Sequence, residues 1–122
     1  MKKAIIVMNE THSLLPEQEK ILGMVYEGFD IFPVPSQGWT LDEMLDKINE
    51  LHEKACKEKL DIVFVSPIPL MIRELTEMAI CPKGSGKRRY NVKLFHNDRR
   101  EKKELPNGRI IQVVAQTGWQ LV

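Results

Sequence analysis

An α/β fold of three layers, with a mostly parallel sheet and an antiparallel strand at the C-terminal end, is what the sequence predicts. Two observations carry the prediction. Short apolar runs alternate along the chain with segments of helical period. Signals that start or stop helices fall between them: Pro16 and Gly28 around one segment, Thr40 before a second, Ser66-Pro67 before a third.

Residues 3–8, KAIIVM, have the continuous apolar character of a buried central strand. Asn9 to Ser13 interrupt the run with polar groups. Pro16 suits the first turn of a helix, and Glu17 and Glu19 favour its positive end. Ile21, Leu22, Val25 and Tyr26 give that helix an apolar face, and Gly28 stops it. Residues 29–34, FDIFPV, form a second strand; Pro33 and Pro35 restrict its ladder, so it belongs near an edge. Thr40 with Glu43 three residues on is a capping box. The helix behind it carries Leu41, Met44, Leu45, Ile48 and Leu51 on one stripe and runs to about Lys57.

Residues 61–65, DIVFV, make a third strand, and a third helix follows with Met71, Ile72, Leu75 and Met78. Residues 80–89 read as a basic, glycine-containing loop and residues 90–96, YNVKLFH, as a fourth strand. Residues 110–114 and 118–122 form one final strand or two short pieces. They are reached through Pro106-Asn107-Gly108, a reverse-turn signal that joins antiparallel neighbours. Alternation of this kind requires right-handed crossovers and puts helices on both faces of the sheet. The plan is a small Rossmann-like domain, a single unit over residues 1–122.

Composition narrows the function classes. The chain has 122 residues, 43% hydrophobic and 29% charged, with a net charge of +1. That suits one globular core and offers no global basic field for long duplex DNA. The charge is uneven: residues 83–103 hold nine Lys and Arg, among them Lys87, Arg99 and Arg100, against Asp98 and Glu101. A site for a small anion or a short nucleic acid stays open. Cys56 and Cys81 have no CxxC spacing and no His at zinc distance, so a reducing, cytoplasmic setting is expected and no metal or cofactor. The apolar run Ala4–Met8 is too short for a signal peptide or a membrane span.

Ligands of open α/β sheets sit beyond the carboxyl ends of the strands. Here those ends are 9-NETHS-13, 35-PSQGW-39, 66-SPIP-69 and 96-HNDRR-100. Asn9 and Thr11 supply donors and acceptors, and His12 suits a phosphate contact or acid–base work near neutrality. The competing reading has Thr11 or Ser13 capping the first helix and Ser66 capping the third. His96, Asn97, Arg99 and Arg100 form the second cluster, where the planar fork of Arg fits phosphate; the plain alternative is a solvated turn paired with Glu101 and Glu104. The segment 83-KGSGKRR-89 lacks phosphate-loop spacing and reads as a basic surface loop that can still fold over an anion as a lid. Trp119 reads as core or subunit interface rather than a base-stacking platform.

Taken together, 5-IIVMNETHSLLPEQEKIL-22 resembles the start of small CRISPR-associated proteins related to the CARF domain, with His12, Leu15, Glu17 and Gln18 in the matching places. The far end is similar too, through Arg99, Arg100, Glu104, Gly108 and Trp119. Leu15 departs from the pattern, standing where a hydroxyl cap is usual, and the 80–89 loop is unusually basic. The resemblance implies a homodimer that binds a cyclic oligoadenylate, most simply cyclic tetra-adenylate, across its two-fold axis. It implies a ring nuclease of type III CRISPR antiviral defence, with metal-independent attack by a ribose 2′-hydroxyl. In that scheme His12 and His96 move protons, Arg99 and Arg100 stabilise the phosphate, and Asn9, Thr11, Ser66, Asn97 and Lys87 position the ligand. The rival expectations are a sensor or sponge that binds without cutting, and a protein-interaction module.

Overall fold

The structure, a computed structural model, describes residues 2–80, 87–97, 101–113 and 115–122. Its main sheet has five strands in the order β2-β1-β3-β4-β7. These are β1 (Lys3–Asn9), β2 (Gly28–Val34), β3 (Asp61–Phe64), β4 (Val92–Asn97) and β7 (Trp119–Leu121). The first four run parallel and β7 is antiparallel to β4. The α/β, mostly parallel, Rossmann-like reading therefore holds, with β2 on an edge as its prolines require.

Strand alternation divides the core in two. Ile5, Val7, Ile62 and Phe64 face helices α2 (Leu41–Glu58) and α3 (Pro69–Ala79), which add Ile48, Leu51, Met71 and Leu75. Ala4, Ile6, Met8 and Val63 face α1 (Pro16–Val25), which adds Leu22. One helix thus lies on one face and two on the other. The crossover through α1 carries the chain from β1 out to the edge strand β2. The crossover through α2 brings it back past β1 to β3. The chain reverses direction between two neighbouring strands, β1 and β3.

Local signals explain the helix ends. Thr40 Oγ1 accepts from Glu43 N–H at 3.2 Å, and Glu43 Oε1 accepts from Thr40 N–H at 3.4 Å, the predicted capping box. Helix α2 ends on Lys59 in the left-handed region (φ 56°), a conformation that favours glycine. The expected hydroxyl caps of α1 and α3 are not used. Leu15 occupies the N-cap of α1, and the buried Gln18 reaches back so that its Oε1 accepts from Leu15 N–H at 3.0 Å. Ile68, not Ser66, is the N-cap of α3.

At the amino ends of the strands, Asp61 is 3% exposed and accepts from Lys2 Nζ at 3.1 Å, Tyr26 O–H at 3.0 Å and Asn91 N–H at 3.0 Å. Burial works to raise its pKa, but the Asn91 amide and the Lys2 and Tyr26 contacts outweigh it and hold the carboxyl below its ordinary value. Burial, the Asp61 charge and their hydrogen bond push the Tyr26 phenol up in turn.

The C-terminal segment differs from expectation. Asn107-Gly108 turns the chain between β5 (Glu101–Glu104) and β6 (Ile110–Val113), a separate two-stranded ribbon. Gly108 has φ 84°, and Asn107 Oδ1 accepts from Arg109 N–H at 3.0 Å. The final strand is antiparallel, but it is β7, which does not follow that turn.

Candidate functional site

Asn9 ends β1, and its backbone N–H donates to Ser66 Oγ, just past β3, at 2.9 Å. The two strand ends so joined are the pair between which the chain reverses. Crevices in open α/β sheets form at such a place, because the connections leave on opposite faces. Asn9 Oδ1 then accepts from Thr11 N–H at 2.9 Å and Thr11 Oγ1–H at 2.7 Å, and Asn9 O accepts from His12 N–H at 2.9 Å. This tight turn fixes His12, whose Nδ1 lies 3.4 Å from Ser66 Oγ. Ser66 Oγ accepts from Asn9 N–H and meets the imidazole, so one hydroxyl ties the end of β1 to His12.

Beside this turn lies an open pocket of about 400 Å³. Thr11, His12 and Ser13 line its polar side, and Leu15 and Val65 its apolar side. Gln18 and Trp119 complete it. Trp119 is held from three directions. Its backbone N–H donates to Glu17 Oε1 at 2.8 Å, its indole Nε1–H donates to Ala115 O at 2.9 Å, and Phe95 meets it edge-to-face at a centroid distance of 6.3 Å.

The fold brings Asn9, Thr11, His12 and Ser66 into one cluster. Asn97 is near it: it pairs with Trp119 across β4 and β7, and its Nδ2 donates to Thr117 O at 3.2 Å. His96 is not brought to His12. Leu94 packs on the α2–α3 face and Phe95 on the α1 face, so alternation puts His96 on the α2–α3 side. Lys87 is at the other end of the strands, beside the Ile80–Arg88 bridge and the amino-edge residues Tyr90 and Asn91. Arg99, Arg100 and most of the 80–89 loop lie outside the described residues.

Two lining residues escaped the sequence reading. Trp119 belongs to neither core cluster and is partly buried on the pocket wall. Gln18 is 3% exposed and shares a helix face with the core residue Leu22, a polar group at an apolar position. A further cluster sits on the opposite face: His52 Nδ1 is 2.7 Å from Tyr90 O–H, and Cys56 Sγ is 3.8 Å from His52 Nε2. Burial and the neighbouring Cys56 push the Tyr90 phenol up to about 12. Tyr90 is also part of the core, so the His52 contact satisfies its hydroxyl. Among the described residues no helix is long and apolar enough to cross a membrane, and no group of three or more His, Cys, Asp or Glu is placed to hold a metal ion. No family model, curated protein or solved structure matches this chain.

Proposed function

We propose that the protein binds a cyclic oligoadenylate, cyclic tetra-adenylate first among the ring sizes, as a homodimer and cleaves it, lowering type III CRISPR signalling. The observation that carries this reading is the Asn9–Thr11–His12–Ser66 cluster, set where the chain reverses between β1 and β3 and opening on a nucleotide-sized pocket. A ribose 2′-hydroxyl attacks the adjacent phosphorus. The O2′–P bond forms, the P–O5′ bond breaks, and the products carry a 2′,3′-cyclic phosphate and a 5′-hydroxyl. His12 acts as the imidazolium: it donates the proton that the leaving 5′-oxygen needs and becomes neutral imidazole, while the 2′-hydroxyl proton passes to water. Thr11 and Ser13 hold ribose and phosphate in line for the displacement. Arg99 and Arg100 take the phosphate role that the resemblance implies, and a two-fold pairing doubles each set around a symmetric ring. The nucleophile belongs to the ligand, so the chemistry asks nothing of a metal ion.

The test is incubation with cyclic tri-, tetra- and hexa-adenylate in excess EDTA, read by chromatography beside a melting scan. Linear products ending in a cyclic phosphate support the reading. Melting shifts without products make the protein a sensor or sponge. Neither response with any ring size removes the nucleotide reading and leaves the interaction module.

A further inference from the structure

Gln18 presents a donor that the protein does not use. Its Oε1 accepts from Leu15 N–H, which leaves one lone pair on that oxygen and both hydrogens of Nε2. Among the described residues Nε2 has no acceptor, yet no fully buried side-chain nitrogen or oxygen lacks a partner. Gln18 is 3% exposed and lines the pocket, so its amide group borders that space. An unanswered amide at this depth is costly unless a ligand or water meets it. The same pocket is lined by Trp119, whose indole is held by the Ala115 carbonyl and Phe95. A fixed aromatic wall, two aliphatic side chains and one primary amide describe a slot for a flat, polar-edged ring.

We propose that this slot is an adenine pocket, with Trp119 stacking on the base and Gln18 reading its edge. A primary amide with a free donor and a free acceptor complements adenine, which offers a ring-nitrogen acceptor beside its N6 amino donor. The corresponding edge of guanine offers two acceptors and opposes Oε1. Stacking on an aromatic wall by itself tolerates any base, so Gln18 supplies the discrimination against guanine and Trp119 the affinity. Cytosine offers the same acceptor and amino donor on a single ring, so the larger face that adenine stacks on Trp119 sets it apart from the pyrimidines. Thr11, Ser13 and His12 then lie on the polar rim, where the sugar and phosphate of the same nucleotide emerge. This inference rests on the site being a nucleotide site. It names the part of the nucleotide that enters the pocket and requires neither a ring nor cleavage.

Trp39 and Trp119 are the two tryptophans of the chain, so Trp39→Phe leaves Trp119 as the reporter. Titration of that protein with AMP, GMP, CMP and UMP should quench Trp119 emission saturably with AMP, and need at least about tenfold more of the others. Gln18→Glu keeps the oxygen that caps Leu15 N–H and replaces the donor by a second acceptor. It should lose AMP binding at least about tenfold at temperatures where the variant stays folded. Trp119→Leu should weaken all four nucleotides together, read by competition against a fluorescent AMP analogue. Equal quenching by all four nucleotides, no quenching by AMP, or AMP binding unchanged in Gln18→Glu would each overturn the pocket assignment. AMP binding without cleavage of any cyclic ligand leaves this inference standing while the nuclease reading falls. Cleavage of a cyclic oligoadenylate that is indifferent to Gln18→Glu and Trp119→Leu does the reverse.

Discussion

The two ends of the β-sheet carry polar clusters of similar make-up and opposite character. At the amino end, Asp61 is buried and its carboxylate accepts from Lys2, Tyr26 and Asn91, joining four segments of the chain. At the carboxyl end, Asn9 and Ser66 organise a turn, but His12 is exposed and Gln18 keeps an amide that no described group answers. A cluster that closes on itself contributes stability. A cluster that fixes its own backbone while leaving donors aimed at a pocket is prepared for something else.

Single substitutions should split these roles, and the largest separation is expected at His12. His12→Ala should lower cleavage of a cyclic oligoadenylate by about 100-fold or more, the usual worth of a positioned acid. Because the side chain is exposed, melting and ligand-induced melting shifts should stay close to those of the parent. A parent-like rate would take His12 out of the chemistry. A large loss of melting temperature would make the carboxyl-end cluster structural after all.

Asp61→Ala should show the converse. It leaves the Tyr26 hydroxyl and Asn91 amide without their acceptor, a loss on the order of 2–4 kcal/mol. Thermal unfolding should fall by about 10 °C, with cleavage at temperatures where the variant is folded little changed. The parent should show the matching pH dependence. The folded state holds Asp61 below the ordinary carboxyl value of 3.8, so the unfolded chain binds the proton more tightly. Its contribution is complete above that value and is lost as the pH falls through the lower folded value. Urea unfolding followed from pH 6 to pH 2 should show this acid limb, and Asp61→Asn should flatten it. An unchanged limb would assign acid sensitivity elsewhere.

Much of this contrast was legible in the chain, and the rest failed for identifiable reasons. Residues 3–8 and 61–65 show as strands because runs of five and four apolar residues have few other homes, and the polar stretches after them gave Asn9, Thr11, His12 and Ser66. Strand order was not legible, because lateral pairing depends on distant segments, and with it went the chain reversal between β1 and β3. Lys87 lies away from Asn9 and His12 on a point that topology supplies: a connection from a helix to a parallel strand always lies at the amino end. His96 is separated from His12 by alternation, which one residue's shift in strand register reverses. Strand β5 reads EKKE and has no apolar alternation, so only its partner across Asn107-Gly108 reveals it. Gln18 left one trace, a polar side chain four residues from Leu22 on the buried stripe of α1.

Ser66 tests whether the carboxyl-end cluster acts through geometry as well as contact. Its hydroxyl touches both the Asn9 backbone and His12 Nδ1, and it does not line the pocket, so it is a positioning residue. Ser66→Ala removes the hydroxyl that orients the His12 ring through Nδ1. The cleavage rate should fall by about tenfold, less than for His12→Ala because the imidazole remains. The readout that a merely structural role would not move is the split between turnover and binding: kcat should fall while AMP affinity stays constant. Ser66→Thr, which restores a hydroxyl, should recover the rate. Parallel loss of rate, melting temperature and AMP binding in Ser66→Ala would mean that the hydroxyl only secures the turn. The two ends of the sheet would then differ in how fully their polar groups are answered, but not in the kind of work their first layer of hydrogen bonds performs.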